Sequence, residues 1–239
     1  MTAAMARPQL LLLPGTLCDK RMFALQARAL RSCAVLHPAD YVKLRDVDSW
    51  MRRLLPSLPP RFSVAGFSLG GLLALELLRR VPERIERLAL IASNAQAASP
   101  LGKRRSAWLH KLHLARGAAV VAKHVKPAYF HHEAKRRQYE QLVLRMAVQT
   151  PQRSAFAQFD WAADRPDGFA ALRAFGGPVL VVAGAQDRLC PPAWQHAMQS
   201  AQPAIRLVQL PRCGHFVPLE SPAQLSNALI QWLDQPVAQ

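Results

Sequence analysis

Six short runs, apolar on both faces, set the terms on which this chain can fold: Gln9–Leu13, Cys33–His37, Phe62–Gly66, Leu88–Ala92, Val179–Gly184 and Ile205–Leu210. A half-wet strand alternates polar and apolar residues. A run that is apolar throughout needs cover on both sides, as in a parallel sheet between two layers of helices. The intervening segments supply that cover, with helices predicted over Phe23–Leu30, Val47–Leu55, Leu69–Arg80, Pro192–Ala201 and Ala223–Trp232. The third carries Leu72, Leu73, Leu75, Leu77 and Leu78 and ends on Arg79-Arg80 ahead of Pro82, placing basic residues at the negative end of the helix dipole. Strand and helix in alternation predict a doubly wound α/β domain.

The rhythm breaks over residues 99–168. Helices without strands are predicted there, at Ser106–Leu114, Ala118–His124, His132–Thr150 and Ser154–Trp161, punctuated by Pro127 and Pro151. Alternation resumes after Gly176-Gly177-Pro178. The chain therefore divides into a core, 1–98 and 169–239, and a helical insertion, 99–168, in the position of a lid over an active site. A length of 239 residues suffices to bury one such core. With 51% hydrophobic and 19% charged residues the composition is that of a soluble globular protein. No apolar run reaches the length of about 18 residues needed to span a membrane. Leu10–Leu13, with only Arg7 ahead and Pro14-Gly15 behind, is too short for the apolar region of a signal peptide, so a cytoplasmic location is expected. Cys18, Cys33, Cys190 and Cys213 show no paired spacing and read as free thiols, not a disulfide framework or zinc site. The tail Pro236–Gln239 is expected to be loose.

A net charge of +16 raises the question of an acidic partner: nucleic acid, an anionic membrane or an acidic protein. No nucleic-acid recognition motif accompanies the charge, and a general abundance of arginine accounts for it more simply. The insertion nevertheless concentrates it, with 13 Lys or Arg against five Asp or Glu over residues 101–168, and five of the eight histidines.

The chemistry begins at Gly66-Phe67-Ser68-Leu69-Gly70-Gly71, between an apolar run and a predicted helix. A sharp strand-to-helix turn would lift the Ser68 hydroxyl above the sheet at the positive end of that helix, with small residues on either side to avoid backbone collision. A serine hydroxyl is a weak nucleophile and needs a base. His215, in a turn between the last strand and last helix, is the preferred base over His37 beside Pro38, His196 within a helix, and the histidines of the insertion. The base must itself be oriented by a carboxylate. Asp187 ends a strand in a turn closed by Pro191-Pro192, and Ser68, Asp187, His215 is the chain order of an α/β-hydrolase triad. Asp160 and Asp164 of the insertion are weaker choices, and Ser93-Asn94, not an acid, follows the fourth strand. Two backbone donors for an oxyanion are expected: the N–H of Leu69, and one from Pro14-Gly15-Thr16-Leu17, preferably Thr16 over Leu17.

These segments carry a family resemblance. Leu-Leu-Pro-Gly-Thr-Leu-Cys-Asp at 12–19, the serine turn with the helix and strand that follow it through residue 90, Arg165-Pro166-Asp167, and Cys-Gly-His-Phe-Val-Pro-Leu-Glu-Ser-Pro at 213–222 resemble bacterial α/β-hydrolases of the carboxylesterase type, the pimeloyl-acyl-carrier-protein methyl ester esterases among them. The resemblance implies an α/β-hydrolase fold, a mostly parallel doubly wound sheet with a helical cap inserted after the sixth strand of the standard fold. It implies Ser68, Asp187 and His215 as triad, Thr16 and Leu69 as oxyanion hole, and no metal or organic cofactor. Pro14 departs from the pattern, since many members have histidine there.

The implied reaction is ester hydrolysis through an acyl-enzyme. Trp108, Tyr129, Phe130, Phe156, Phe159 and Trp161 would roof an apolar pocket above it. If Lys103, Arg104, Arg105, Lys135, Arg136 and Arg137 face outward together, they would dock an acidic acyl carrier protein. The same fold also hosts thioesterases, lyases, haloperoxidases and binding proteins.

Overall fold

A computed structural model describes residues 7–121, 123 and 126–237 of the chain. The predicted end of a helix at His124 and the last two residues of the tail lie outside the described residues. The six predicted runs are strands: β1 Gln9–Leu13, β2 Val35–Pro38, β3 Phe62–Phe67, β4 Ile85–Ile91, β5 Val179–Gly184 and β6 Arg206–Leu210. They form one sheet in the order β2-β1-β3-β4-β5-β6, and every pairing is parallel. Strand β2 begins two residues later than its apolar run because the amides of Cys33 and Ala34 are drawn to Leu30 O, each at 3.0 Å.

Successive residues of a strand point to opposite faces, and the core divides accordingly. Leu11, Leu13, Val64, Leu88, Leu90, Val179 and Val181 face one way. They are covered by α2 (Val47–Leu54), α3 (Leu69–Arg80), α7 (Phe169–Ala174) and α8 (Pro192–Ala201). Leu10, Leu12, Ala65, Phe67, Ala89, Ile91, Leu180 and Val182 face the other way, under Leu30 of α1 (Ala24–Leu30) and Leu225, Leu229 and Trp232 of α10 (Pro222–Leu233). Each fully buried leucine or valine contributes about 1.5–3 kcal/mol through removal from water. The two-sided cover read from the sequence is thus what the sheet requires.

Between β4 and β5 the chain is helical: α4 (Pro100–Val120), α5 (Glu133–Gln149) and α6 (Gln152–Asp164) precede α7. Two helices were predicted where α4 lies, and α4 is two helical segments joined across Gly117, whose φ 75 and ψ 172 are not helical. Ser99 starts the first of them early by accepting the Gly102 amide at 3.0 Å. Val121, Ala147, Ala155 and Phe159 form a separate small core here, and Leu17, from the loop after β1, is its fifth member. Among the described residues, no helix is long and apolar enough to cross a membrane.

Glu76, on α3, is 4% exposed. It accepts from Arg79 at 2.7 and 2.9 Å and from Arg80 at 2.6 Å. Burial pushes its carboxyl up, but the hydrogen bonds and charges of Arg79 and Arg80 outweigh it and hold the group below the usual range. A lowered folded-state pKa gives stability that is present above the unfolded value of about 4.3 and is lost as pH falls below that value and through the lower folded-state one. The melting temperature of the wild type should therefore fall more steeply between about pH 5 and about pH 3 than that of Glu76→Gln. Parallel pH profiles would show that Glu76 does not contribute in this way.

Candidate active site

Ser68 sits between fully buried β3 and the first turn of α3, with φ 54 and ψ −114. A positive φ at a non-glycine residue is strained and persists only where its surroundings enforce it. Here the Ser68 amide donates to Ile91 O at 2.9 Å, and its carbonyl accepts from Ser93 Oγ at 2.9 Å and Gly71 N at 3.0 Å. Close backbone approach fixes the glycines on either side. A Cβ at Gly66 would lie 2.1 Å from Gly70 O, and one at Gly70 would lie 2.0 Å from Leu13 O.

His215 Nε2 lies 3.0 Å from Ser68 Oγ, and His215 Nδ1 lies 2.8 Å from Asp187 Oδ2. His215 is 2% exposed and Asp187 3%. The second carboxylate oxygen accepts from Leu189 N at 2.8 Å and Cys190 N at 2.9 Å, so Asp187 is held by its own turn. With an ionised Asp187 the pattern assigns the proton to Nδ1 and leaves Nε2 to accept from the serine hydroxyl. The ring rests edge-on against Tyr129, centroids 5.7 Å apart, and is tilted over Phe67 at 5.2 Å. Its backbone amide donates to Tyr129 O at 2.8 Å. Buried Glu220, in α9 (Val217–Glu220), accepts from Gly214 N and from the amides of His131 and His132. The histidine loop is thereby joined to the inserted segment.

The structure brings Ser68, His215 and Asp187 together and leaves the competitors elsewhere. His37 is bonded to Gln9, exposed His196 contacts Gln209, and His110 stacks on Phe156 at 3.9 Å. Asp160 lies beside His110, and Asp164 pairs with Lys103. Asp187, Cys190 and His215 place potential metal ligands within 4.8 Å of one another. Both Asp187 oxygens and both His215 nitrogens are already engaged, however, and burial pushes the Cys190 thiol far up, leaving it protonated. A neutral thiol is a poor ligand, so the set fits a metal badly.

A cavity of about 200 Å³ opens above Ser68 and His215 and is also lined by Thr16 and Leu69. Among the described residues, neither the Thr16 nor the Leu69 amide donates to a protein acceptor, whereas that of Leu17 donates to Gln158 Oε1 at 2.8 Å. The Thr16–Leu17 peptide is held at its other end too, since Lys126 Nζ donates to Thr16 O at 2.8 Å. Gln158 in turn donates to Ser154, whose hydroxyl reaches Tyr41 O, and the Tyr41 hydroxyl donates to Pro14 O at 2.8 Å. Gln158, Lys126, Ser154 and Tyr41 are all 5% exposed or less. Sequence reasoning missed the two tethers because Lys126 and Gln158 lie 110 and 141 residues from the loop they hold, with no periodic or spacing signal to mark them.

Of the six aromatic residues expected over the pocket, Tyr129 and Phe159 line it. The other four face elsewhere: Trp108 is 51% exposed, Phe156 stacks on His110, Phe130 packs on Phe216 and Trp161 joins the sheet core. The expected outward basic group also divides. Arg105 turns in to line the cavity, Lys103 pairs with Asp164, and Arg136 and Arg137 pair with Glu133.

This chain belongs to the alpha/beta hydrolase family, whose model matches residues 10–228. It is 31% identical over 189 residues to the pimeloyl-[acyl-carrier protein] methyl ester esterase of Aromatoleum aromaticum, covering 74% of this chain and 75% of that one. The enzyme of the same description from Nitrosomonas europaea is 30% identical over 193 residues, covering 76% and 75%. Among solved structures, a thermophilic esterase from Thermogutta terrifontis shares the fold with a TM-score of 0.82 at 23% identity, covering 95% of this chain and 89% of that one. The enol-lactonase of Burkholderia xenovorans does so with a TM-score of 0.77 at 21% identity, covering 96% and 92%.

Removing a tether of the Thr16–Leu17 peptide should act on turnover more than on ground-state binding. Gln158→Leu and Lys126→Met are each expected to lower kcat for a short ester about tenfold or more, below the ~10²–10³ loss of a whole oxyanion donor. KM should change little. Steady-state kinetics on variants with wild-type circular dichroism would check this, and an unchanged kcat would refute it.

Proposed function

We propose that this protein is a serine hydrolase of carboxylic esters, with Ser68 as nucleophile, His215 as general base and acid, and Asp187 as its orienting carboxylate. The observation that carries the reading is the line of contacts from Ser68 Oγ to His215 at 3.0 Å and on to Asp187 at 2.8 Å, on a turn that strains the serine. His215 Nε2 takes the hydroxyl proton as Oγ bonds to the ester carbonyl carbon. The resulting oxyanion accepts from the amides of Thr16 and Leu69. Collapse expels the alcohol, which receives the proton from Nε2, and leaves the acyl group on Oγ. A water molecule then gives its proton to Nε2 and attacks the acyl carbon, releasing the acid and returning the proton to Ser68. Asp187 stabilises the imidazolium throughout. Residues 99–168 act as a cap: α4 and α6 carry Arg105, Leu109 and Phe159 over the cavity. The names of the two relatives at 31% and 30% identity support an ester as the bond cleaved.

Those names also favour an acyl-carrier-linked substrate, and the charge of the cap is compatible with it. Arg104, Lys111 and Arg116 on α4 are exposed and, among the described residues, have no carboxylate partner. Exposed Leu101 and Trp108 lie on the same helix. An acidic carrier would dock there.

The decisive assay is a panel of p-nitrophenyl and methyl esters of graded acyl length, run on wild type and Ser68→Ala. Turnover should fall by at least ~10³ in the variant. Substantial activity surviving the substitution would overturn the nucleophile and with it the mechanism. For the carrier reading, affinity for an acidic acyl carrier protein should collapse in high salt and on reversing Arg104, Lys111 and Arg116 to Glu. Indifference to both would remove the carrier and leave a small-molecule esterase.

A further inference from the structure

The cavity above Ser68 is walled mainly by apolar side chains, yet among the described residues three cations line it, Arg105, Lys126 and Arg165, and no carboxylate does. None of the three has an ion pair among the described residues. On α3 and α5, by contrast, arginines are paired: Arg79 and Arg80 meet Glu76, and Arg136 meets Glu133 and Glu140.

The three differ in what they have left to offer. Lys126 is engaged by Thr16 O at 2.8 Å, Leu17 O at 3.3 Å and Cys18 Sγ at 3.5 Å. Arg165 donates from Nε to Gln96 O at 3.0 Å and from Nη1 to Ala162 O at 2.7 Å, and Nη2 has no acceptor among the described residues. Arg105 donates from Nη2 to the Tyr129 hydroxyl and lies 5.6 Å over that ring, while its Nε and Nη1 have none. Neutral acceptors thus fix both guanidinium groups without cancelling their charge. Both line the cavity together with Cys190, whose thiol they act on, opposing its rise on burial. Burial also pulls Arg165 down from its ordinary value, the mark of a cation held in poor contact with water.

Tyr129 ties Arg105 to the reacting residues. Its ring meets His215 edge-on at 5.7 Å, and its hydroxyl holds Arg105. One aromatic ring therefore separates the proposed base from the unpaired cation.

We propose that this cavity takes an ester bearing a second, ionised carboxyl group, a half-ester of a short dicarboxylic acid, and that Arg105 and Arg165 clamp that carboxylate. The proposal rests on the esterase reading of the same site. Guanidinium groups present forked donors matched to a carboxylate, and such charge-assisted bonds are strongest in a dry pocket. A volume of about 200 Å³ suits an acid of few carbons.

The test compares monomethyl glutarate with dimethyl glutarate and methyl pentanoate, and measures glutarate binding to Ser68→Ala by calorimetry. The wild type should prefer the half-ester in kcat/KM by at least about tenfold, equivalent to about 1.4 kcal/mol. Arg105→Gln and Arg165→Gln should each erase most of that preference, chiefly through KM for the half-ester, and weaken glutarate binding in the Ser68→Ala background. Arg165→Lys should restore part of it. Arg105→Gln keeps the assay informative if loss of the Arg165 tethers impairs folding. Turnover of the neutral esters with no preference for the half-ester would overturn the clamp and leave the esterase standing. Arginine-dependent glutarate binding without turnover of any ester would do the reverse.

Discussion

The turn at Ser68 works only because three strands meet there with no room between them. The end of β1 lies so close to Gly70, and Gly66 so close to the first turn of α3, that a single methyl group at either glycine would collide with backbone. The Ser68 peptide is pinned from the far side by Ile91 O at the end of β4 and by Ser93 Oγ just beyond it. Strain at one residue is tolerated because the sheet fixes both flanks, and the sheet can do so because all its pairings are parallel. Parallel order brings the C-terminal ends of β1, β3, β4 and β5 to one edge. The loops carrying Thr16, Ser68, Ser93 and Asp187 leave from that edge.

The inserted helices are part of this construction as well as a cover for it. Leu17 has more in common with Val121, Ala147 and Phe159 than with the sheet it follows, since it belongs to their core. Gln158 and Lys126 grip the peptide between Thr16 and Leu17 at its N–H and C=O ends, and Glu220 joins the histidine loop to the amides of His131 and His132. A peptide held at both ends cannot rotate, and the amide of Thr16, which lines the cavity, is the one left for the proposed oxyanion hole. Sequence had left Leu17 as the weaker alternative. The Leu17 amide donates to Gln158 Oε1, which favours Thr16 for the proposed oxyanion hole.

What could be read from sequence and what could not divides along a physical line. The six strands were legible because burial on both faces is written locally, in consecutive residues. The association of Ser68, Asp187 and His215 was legible because each stands at the end of a recognisable strand, in a telling order. The Gln158 and Lys126 tethers had no local mark, and neither did the inward turn of Arg105. Arg105 follows Lys103 and Arg104 in one basic run, but successive helical residues are about 100° apart. A run of three therefore cannot face one way, and only packing decides which member turns in. The aromatic residues of the insertion failed for the same reason: helical spacing says which residues share a face, not what that face meets.

Electrostatics connects these parts. Asp187 is the single carboxylate of the proposed triad, and its two oxygens are fixed by His215 and by two amides of its own turn. Its charge therefore acts on the imidazole and is shielded from the cavity, where the ionised side chains among the described residues are cations. Negative charge forming on the carbonyl oxygen of a bound ester would meet the field of Lys126 directly behind the Thr16–Leu17 peptide, in addition to the amides of Thr16 and Leu69. In a buried site such a fixed field acts at low effective dielectric and needs no rearrangement when the charge appears. The hydrogen bonds that orient Lys126 all go to loop carbonyls and a thiol, none to an anion. Its positive charge is thus placed by neutral partners and left whole for whatever negative charge the reaction creates.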